Sequence, residues 1–171
     1  LKGVAACKKA MPAVPQVGVF DSAFYAEMPE ESYTYAIPYE WTEKYDIRRY
    51  GFHGTSHRYV SQEAAKLVGK PLEELKIITC HLGGSASICA IDSGKSVDTS
   101  FGMSLETGLI HANRVGDMDP TMIYFLKNQG LSDEQIQHGL GGILKQAGEG
   151  DGHVILTDVM LEHLQDVVGI A

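Results

Sequence analysis

Residues 49–57 read Arg49-Tyr50-Gly51-Phe52-His53-Gly54-Thr55-Ser56-His57 and form the most informative stretch of the chain. The stretch gathers two histidines, two glycines and two hydroxyl residues into one turn, directly ahead of a helical pattern. The amides and the dipole at a helix N-terminus favour an anion, so His53 is a candidate anion-binding residue. On local spacing alone, the more common interpretation is a histidine bonded to the backbone of a tight turn.

The residues after this turn predict a helix. Apolar side chains recur at helical spacing between residues 58 and 68, and Gly69 ends the pattern. Either Thr55 or Ser56 is the expected N-cap of this helix, because a hydroxyl oxygen can accept from the first free amides.

A zinc site in the same turn is a weak alternative. His53 and His57 are four residues apart and would share one face of a helix, a spacing found among zinc ligands. However, no glutamate follows the first histidine, and Gly54 disfavours a helix at that point.

Upstream of the turn, Gln16–Phe20 is an apolar run that predicts a buried strand. Asp21 follows it directly. In open α/β sheets a carboxylate at the carboxyl end of a buried strand faces the ligand crevice. The alternative is that Asp21 caps the next turn together with Ser22, and its position alone does not decide between the two.

Downstream, three strands joined by tight turns are predicted. The first is Leu75–Leu82, the second is Ile88–Ile91 and the third is Ser96–Thr99, with Asp92-Ser93-Gly94 as a hairpin turn. Between the first two lies a run of small residues, 83–87. Successive amides in such a turn can surround a phosphate, although most glycine-serine hairpins bind nothing.

A further polar cluster surrounds Arg114. A guanidinium is planar and always charged, so Arg114 could hold a phosphoryl group through two parallel hydrogen bonds. An ion pair with Asp117 or Asp119 fits the local sequence equally well. Asp119 also opens a predicted helix, and Ser132 begins a second one through a capping box. A last helix is predicted from 157 to 168.

The composition limits the classes of partner. The net charge is −8 and the pI is about 5.3, which argues against a surface for nucleic acid or an anionic membrane. The sequence contains no apolar run long enough to span a bilayer. Three cysteines without a CxxC pair predict free thiols in a reducing compartment, and therefore the cytoplasm.

Taken together, these segments resemble the acetate kinase family, within the superfamily of sugar kinases, Hsp70 and actin. The resemblance rests on the order and spacing of several segments and covers about residues 5–140. The matching segments are Val19–Phe24, Met28–Glu31, Tyr35–Tyr39, Arg48–His57, Ile78–Gly83, Gly94–Ser100 and Arg114–Pro120.

The resemblance implies an α/β fold: a ribonuclease-H-like (actin-like ATPase) lobe with a mixed sheet flanked by helices, incomplete relative to the family. It implies that ATP, with Mg²⁺, phosphorylates acetate or another short-chain carboxylate, and that the protein is a homodimer. Asp21 matches the active-site aspartate, while His53 and Arg114 match residues that stabilise the transition state as a pair of cations. No metal ligand is assigned. The implied nucleotide-binding residues are His81, Leu82, Gly83, Gly84 and Ser85.

The resemblance also implies a division of the chain. Residues 1–24 match the end of an N-terminal lobe, 25–140 the first part of a second lobe, and 141–171 form a divergent segment. The chain departs from the family in its glycine turn, where Gly84-Ser85 replaces Asn-Gly, and at His111-Ala112-Asn113, which replaces Met-Gly-Thr. These departures fit a kinase for propionate or butyrate. A non-catalytic fragment that only binds phosphate or dimerises is the alternative from another class.

Overall fold

The computed structural model describes residues 1–141 and combines helices with one small sheet. The predicted helix at 157–168 and most of the segment 141–171 lie outside the described residues. Two short 3₁₀ helices, Asp21–Tyr25 and Leu72–Glu74, accompany the main elements. These are α1 (Lys2–Ala10), α2 (Glu30–Tyr33), α3 (Tyr39–Tyr45), α4 (Gly54–Val68), β1 (Lys76–Leu82), β2 (Ala86–Asp92), β3 (Lys95–Thr99), α5 (Thr121–Asn128) and α6 (Asp133–Leu140).

The sheet has three antiparallel strands in the order β1-β2-β3. Leu82 pairs with Ala86 across the glycine turn, and Asp92 pairs with Lys95 across the second turn. Both predicted hairpins are therefore confirmed, as is the α/β class. The described strands are all antiparallel, so residues 1–141 contain no parallel strand of the kind a mixed sheet requires.

The second hairpin turn is tight because of its backbone conformation. Ser93 has φ 52° and Gly94 has φ 81°, which places both residues in the left-handed region. This combination belongs to the two-residue turn whose twist matches that of the flanking strands. The turn aligns β2 with β3, and a bulge between Ala90 and Ile91 shifts the register farther along.

The core lies between the sheet, α4 and the 3₁₀ helix Asp21–Tyr25. Tyr25, Cys89 and Ile91 are buried together. The Tyr25 hydroxyl donates to the carbonyl of Phe52, which ties the 3₁₀ helix to the polar turn. A Cβ added at Gly54 would lie 2.1 Å from the Asp21 carbonyl oxygen, so only glycine permits this close packing.

Helix α4 begins earlier than predicted. It starts at Gly54, and its N-cap is His53 in the left-handed conformation with φ 59°, so the expectation of Thr55 or Ser56 as N-cap is wrong. A side chain from outside the helix provides the cap instead, as described below. The helix ends at Val68, followed by Gly69 with φ 69°, which confirms the predicted end.

The predicted strand at Gln16–Phe20 is wrong. The segment is irregular, and the side chains of Val17, Val19 and Phe20 are 84%, 79% and 76% exposed. A strand exists only where a neighbouring strand pairs with its backbone, and residues 1–141 supply none at this place. Helix α1 likewise buries none of its residues.

Helix α6 begins as its sequence predicts, whereas α5 begins one residue later than predicted, with Pro120 at the N-cap position. The Asp119 carboxylate accepts from the backbone amide and the hydroxyl of Thr121 at 2.9 and 2.7 Å. Ser132 and Gln135 form a complete capping box. As far as residue 141, no helix combines the length and the apolar character that crossing a membrane demands.

Candidate functional site

The site is built around the N-terminus of α4, where the Asp21 carboxylate serves as the missing cap. Its two oxygens accept from the backbone amides of His53, at 2.5 Å, and Thr55, at 3.3 Å. Asp21 was expected either to face a ligand or to cap its own turn with Ser22. It caps a helix that begins more than thirty residues later, and negative charge is favourable at that end of a helix.

The His53 ring lies on the sheet and not against the backbone of its own turn. Its Nδ1 is 2.8 Å from the Ser87 hydroxyl on β2. The ring stacks on His81, with ring centroids 3.9 Å apart, and the edge of Phe101 approaches it. Burial, followed by the neighbouring His81, lowers the pKa of His53 below the usual 6.5. The ring is therefore neutral at pH 7.

His57 is a fully bonded core residue, buried at 1% exposure. Its Nδ1 lies 2.7 Å from the Thr79 hydroxyl on β1, and its Nε2 lies 2.8 Å from the hydroxyl of Ser87. Burial lowers its pKa to about 4. Both ring nitrogens are engaged, which leaves none for zinc, and residues 1–141 contain no group of three side chains arranged to hold a metal ion.

The glycine turn between β1 and β2 leaves several donors without protein partners. His81 at its start is bonded through Nδ1 to the Ser56 hydroxyl at 2.9 Å. The Gly84 carbonyl accepts from the Ala112 amide at 2.8 Å. As far as the structure describes the chain, the amides of Gly84 and Ser85 donate to no acceptor, and the buried Ser85 hydroxyl has no partner. Leu82 and Gly83 are exposed beside them.

His111 belongs to this site, although no chemical role was predicted for it. It is buried, its Nδ1 accepts from the Ala86 amide at 3.0 Å, and its Nε2 lies 3.2 Å from the Thr107 carbonyl. Its ring also stacks on Phe101. Because Nδ1 accepts, the proton lies on Nε2, and burial lowers the pKa of His111. The one signal in the sequence was the departure from the family's methionine at this position.

Arg114 follows His111 on the same loop but does not contact His53 directly. One terminal nitrogen donates to the Leu105 carbonyl at 2.7 Å, and Nε donates to the side chain of Asn113 at 3.3 Å. The alternative of an ion pair with Asp117 or Asp119 is not observed: Asp117 accepts from the Gly108 amide, and Asp119 accepts from Thr121. Arg114 lines a cleft of about 780 Å³, and its charge contributes to lowering the pKa of His53.

The structure therefore brings Asp21, His53 and His81 into one contact network beside the glycine turn, with Arg114 at its edge. The antiparallel sheet and the helix packed against it form part of an α/β domain of the ribonuclease-H-like, actin-like ATPase class, the fold of the solved structures named below. Residues 1–149 match the family model described as the acetokinase family. The chain belongs to the acetokinase family.

Individual relatives agree with this assignment. The chain is 60% identical over 129 residues to an acetate kinase of Halothermothrix orenii, covering 75% of this chain and 32% of the relative. The crystal structure of Porphyromonas gingivalis acetate kinase matches with a TM-score of 0.76 at 47% identity, covering 82% of this chain and 36% of that one. A propionate kinase from Francisella tularensis matches with a TM-score of 0.77 at 43% identity, with the same coverage.

The extent of these matches differs from the expectation in one respect. The matched residues run to 149, so they include the first residues of the segment predicted to be divergent. The chain spans about a third of the length of the curated relatives it matches.

Proposed function

We propose that this chain carries part of the active site of an ATP-dependent carboxylate kinase, which transfers the γ-phosphoryl group of ATP to acetate and yields acetyl phosphate and ADP. A carboxylate oxygen forms the new P–O bond, and the bond to ADP breaks. The acceptor is already ionised at pH 7, so the reaction requires no base to remove a proton. The remaining tasks are positioning the reactants and stabilising charge on the phosphoryl oxygens.

The observation that carries the proposal is the contact of His53 with Asp21 on one side and with His81 on the other. The structure thus joins a carboxylate, a ring donor and a turn with free amides within one small region. Phosphoryl transfer uses these three kinds of group. Two of them come from segments more than thirty residues apart, and structural packing alone does not require this combination.

His53 acts in this proposal as a neutral donor. The family resemblance implied a pair of cations, but the lowered pKa of His53 leaves its ring uncharged at pH 7. A neutral imidazole N–H still donates a hydrogen bond to a developing negative oxygen. Of the two residues, Arg114 therefore supplies the full positive charge. Its guanidinium has five N–H groups, and two of its nitrogens are used within the loop, so donors remain for a phosphoryl group.

The glycine turn at 83–85 is the proposed phosphate-binding loop. The free amides of Gly84 and Ser85 and the unpartnered hydroxyl of Ser85 are donors suited to phosphate oxygens. His81 and Leu82 precede them on β1 and place the turn at the end of the sheet.

The carboxylate of Asp21 fits the Mg²⁺ that this chemistry uses. A carboxylate offers about four lone-pair sites, and two amides occupy two of them. Magnesium is commonly held by one or two carboxylates together with phosphate oxygens and water. Asp21 would be such a ligand, and the metal would neutralise charge on the ATP phosphates.

A phosphoryl-transfer assay with ATP, Mg²⁺ and acetate tests the proposal, with the protein at its full natural length. We expect His53→Ala and Arg114→Ala each to lower kcat about 100- to 1,000-fold, the range for one lost transition-state donor. His138→Ala is the matched control, because His138 is exposed on α6. Equal background rates in all four proteins would contradict the proposal and favour a non-catalytic phosphate-binding or dimerising protein.

The second candidate is a propionate or butyrate kinase. Its support is the similarity to the Francisella tularensis propionate kinase. The ratio of kcat/KM for acetate, propionate and butyrate decides between them, because one additional methylene in a fitted pocket changes the ratio about 10- to 200-fold.

The proposal has three further parts: the family resemblance supports the lobes and the dimer, the cysteines without a CxxC pair support the cytoplasm, and the net charge of −8 supports the statement on partners. Residues 1–24 form the end of an N-terminal lobe, and residues 25–140 form the first part of a second lobe. The exposure of residues 1–20 and the hydrogen bond from the His53 amide to Asp21 are consistent with this division. The protein is a cytoplasmic homodimer with free thiols at Cys7, Cys80 and Cys89. Light scattering coupled to gel filtration tests the dimer. Neither nucleic acid nor a membrane is a partner.

A further inference from the structure

We propose that Thr79, His57 and Ser87 are positioning residues that hold His53 in one neutral tautomer, with its proton on Nε2. The role in catalysis rests on the proposed function, but the tautomer itself does not. The three side chains form a continuous buried line beneath His53, from β1 through α4 to β2.

The Ser87 hydroxyl has a single hydrogen and two histidine nitrogens within hydrogen-bonding distance. Ser87 is fully buried, and its oxygen lies 2.8 Å from both His53 Nδ1 and His57 Nε2. One hydroxyl hydrogen can serve only one of these nitrogens, so the other nitrogen must donate. If both nitrogens donated, the hydrogen of the buried Ser87 hydroxyl would have no acceptor within residues 1–141. The protonation states of the two histidines are therefore linked through Ser87, and only two arrangements satisfy both contacts and also pair the Ser87 hydrogen while both rings are neutral.

In the first arrangement, Thr79 donates to His57 Nδ1, His57 Nε2 donates to Ser87, and Ser87 donates to His53 Nδ1. The second arrangement reverses every hydrogen bond. Thr79 then accepts from His57, and the Thr79 hydroxyl hydrogen needs another acceptor. Up to residue 141, no second partner of the Thr79 hydroxyl is found, and the residue is only 4% exposed. The reversed arrangement therefore buries an unpaired donor.

This difference selects the first arrangement. The penalty for a buried unpaired donor corresponds to a tautomer ratio between about 5:1 and 150:1. The favoured state leaves His53 with an acceptor at Nδ1, used by Ser87, and a donor at Nε2. Through residue 141, His53 Nε2 contacts no protein acceptor, so its N–H is available to a phosphoryl oxygen. The reversed arrangement would present a bare lone pair to that oxygen and repel it.

The tautomer can be measured directly. We would label histidine with ¹⁵N in the protein at its full natural length and record long-range proton–nitrogen correlations at pH 7.5, assigning His53 by its loss in His53→Gln. We expect Nδ1 at the position of an unprotonated nitrogen and Nε2 at that of a protonated one. Thr79→Val removes the donor that separates the two arrangements, so the populations should become about equal. Thr79→Ser retains the hydroxyl and should restore the original ratio.

Kinetics supply the second measurement. Equal populations of the two tautomers predict that kcat is about twofold lower in Thr79→Val, with unchanged KM values. Ser87→Ala removes the hydrogen bond that supports the His53 ring, and we expect it to lower kcat about tenfold. Thr99→Val is the matched control: Thr99 lies on β3, is also 4% exposed, and stands outside this network. Near-ultraviolet circular dichroism establishes that each variant is folded. If Thr79→Val does not fold, the kcat of Ser87→Ala tests whether this network positions His53.

Two results overturn the inference: a proton on Nδ1 of His53 in the unmodified protein, or a tautomer ratio that Thr79→Val leaves unchanged. Full phosphoryl transfer by His53→Ala would overturn the proposed role of His53 instead. In that case the tautomer measurement still stands or falls by itself, so the two failures are distinguishable.

Discussion

Two neighbouring regions of the β1–β2 hairpin differ in how their polar groups are satisfied: the buried face beneath α4, called here the saturated end, and the glycine turn, called the open end. Beneath α4, the hydroxyls of Thr79 and Ser87 and both ring nitrogens of His57 are all bonded in a buried network. At the glycine turn, only a few residues away, the amides of Gly84 and Ser85 donate to nothing within residues 1–141. The Ser85 hydroxyl beside them is buried and has no partner among these residues, and a folded chain rarely leaves a buried polar group unpaired. The saturated end thus maintains the structure, and the open end is where a ligand can bind.

The largest expected effect comes from disrupting the contact that supports the saturated end. In Gly54→Ala, the added Cβ would lie 2.1 Å from the Asp21 carbonyl oxygen and 2.8 Å from Phe24 Cβ, so the 3₁₀ helix must move away from α4. We expect the free energy of unfolding to fall by about 3 kcal/mol or more, the upper range for overpacking. Urea unfolding measures it.

Gly139→Ala is the matched control for this substitution, because a Cβ there meets nothing within 4 Å. It should stabilise α6 by about 0.5–1 kcal/mol. An unchanged unfolding midpoint in Gly54→Ala would show that the close contact with Asp21 is not needed for the fold.

Acid should weaken the same saturated end. The pKa of His57 is about 4 in the folded protein and about 6.5 when unfolded, so the unfolded chain binds more protons between these values. Stability contributed by neutral His57 is complete above pH 6.5 and is lost as the pH falls toward 4. At 1.36 kcal/mol per pKa unit, the loss amounts to about 3 kcal/mol.

Urea unfolding at pH 7.5, 5.5 and 4.5 measures this loss. His57→Gln cannot take up the proton, so its stability should change much less with pH. Parallel slopes for the two proteins would show that His57 does not carry the effect.

The smallest effect on stability is expected at the open end. Ser85→Ala removes a hydroxyl that has no partner among the described residues, so the free energy of unfolding should change by less than about 0.5 kcal/mol. If the hydroxyl binds a phosphate oxygen, the KM for ATP should rise about 10- to 150-fold, since a hydrogen bond to a charged group contributes about 1.5–3 kcal/mol.

Ser96→Ala is the control for this pair of measurements, because Ser96 is buried and bonded to Cys89. It should lower stability and leave the KM for ATP unchanged. The reverse pattern, with stability lost in Ser85→Ala and no change in KM, would remove the distinction between the two ends of the hairpin.

The parts of the fold that depend on neighbouring residues were predictable from the sequence. The Ser93–Gly94 turn and the capping box at Ser132 each contain their own partners within four residues, so local chemistry determines them. Gly69 ends α4 for a similar reason, since glycine adopts its left-handed conformation without strain.

The predictions that failed concern residues whose interaction partners are distant in the chain. The apolar run Gln16–Phe20 has the composition of a strand, but pairing depends on another strand, which no local pattern reveals. The cap of α4 comes from Asp21, so the search for a hydroxyl within the turn was bound to miss it. His111 was missed because the amide from which it accepts belongs to Ala86, which lies 25 residues earlier and reaches it only through folding.

The bonds of Asp21 to the first amides of α4 have an evolutionary consequence. The same carboxylate caps a helix and is the proposed metal ligand, so one substitution there removes a structural support and a chemical group together. A lineage that no longer needed catalysis would still be selected to keep an acceptor at this position. Drift would then favour asparagine over alanine, and an aspartate retained in a relative would not by itself demonstrate that the relative is still an enzyme.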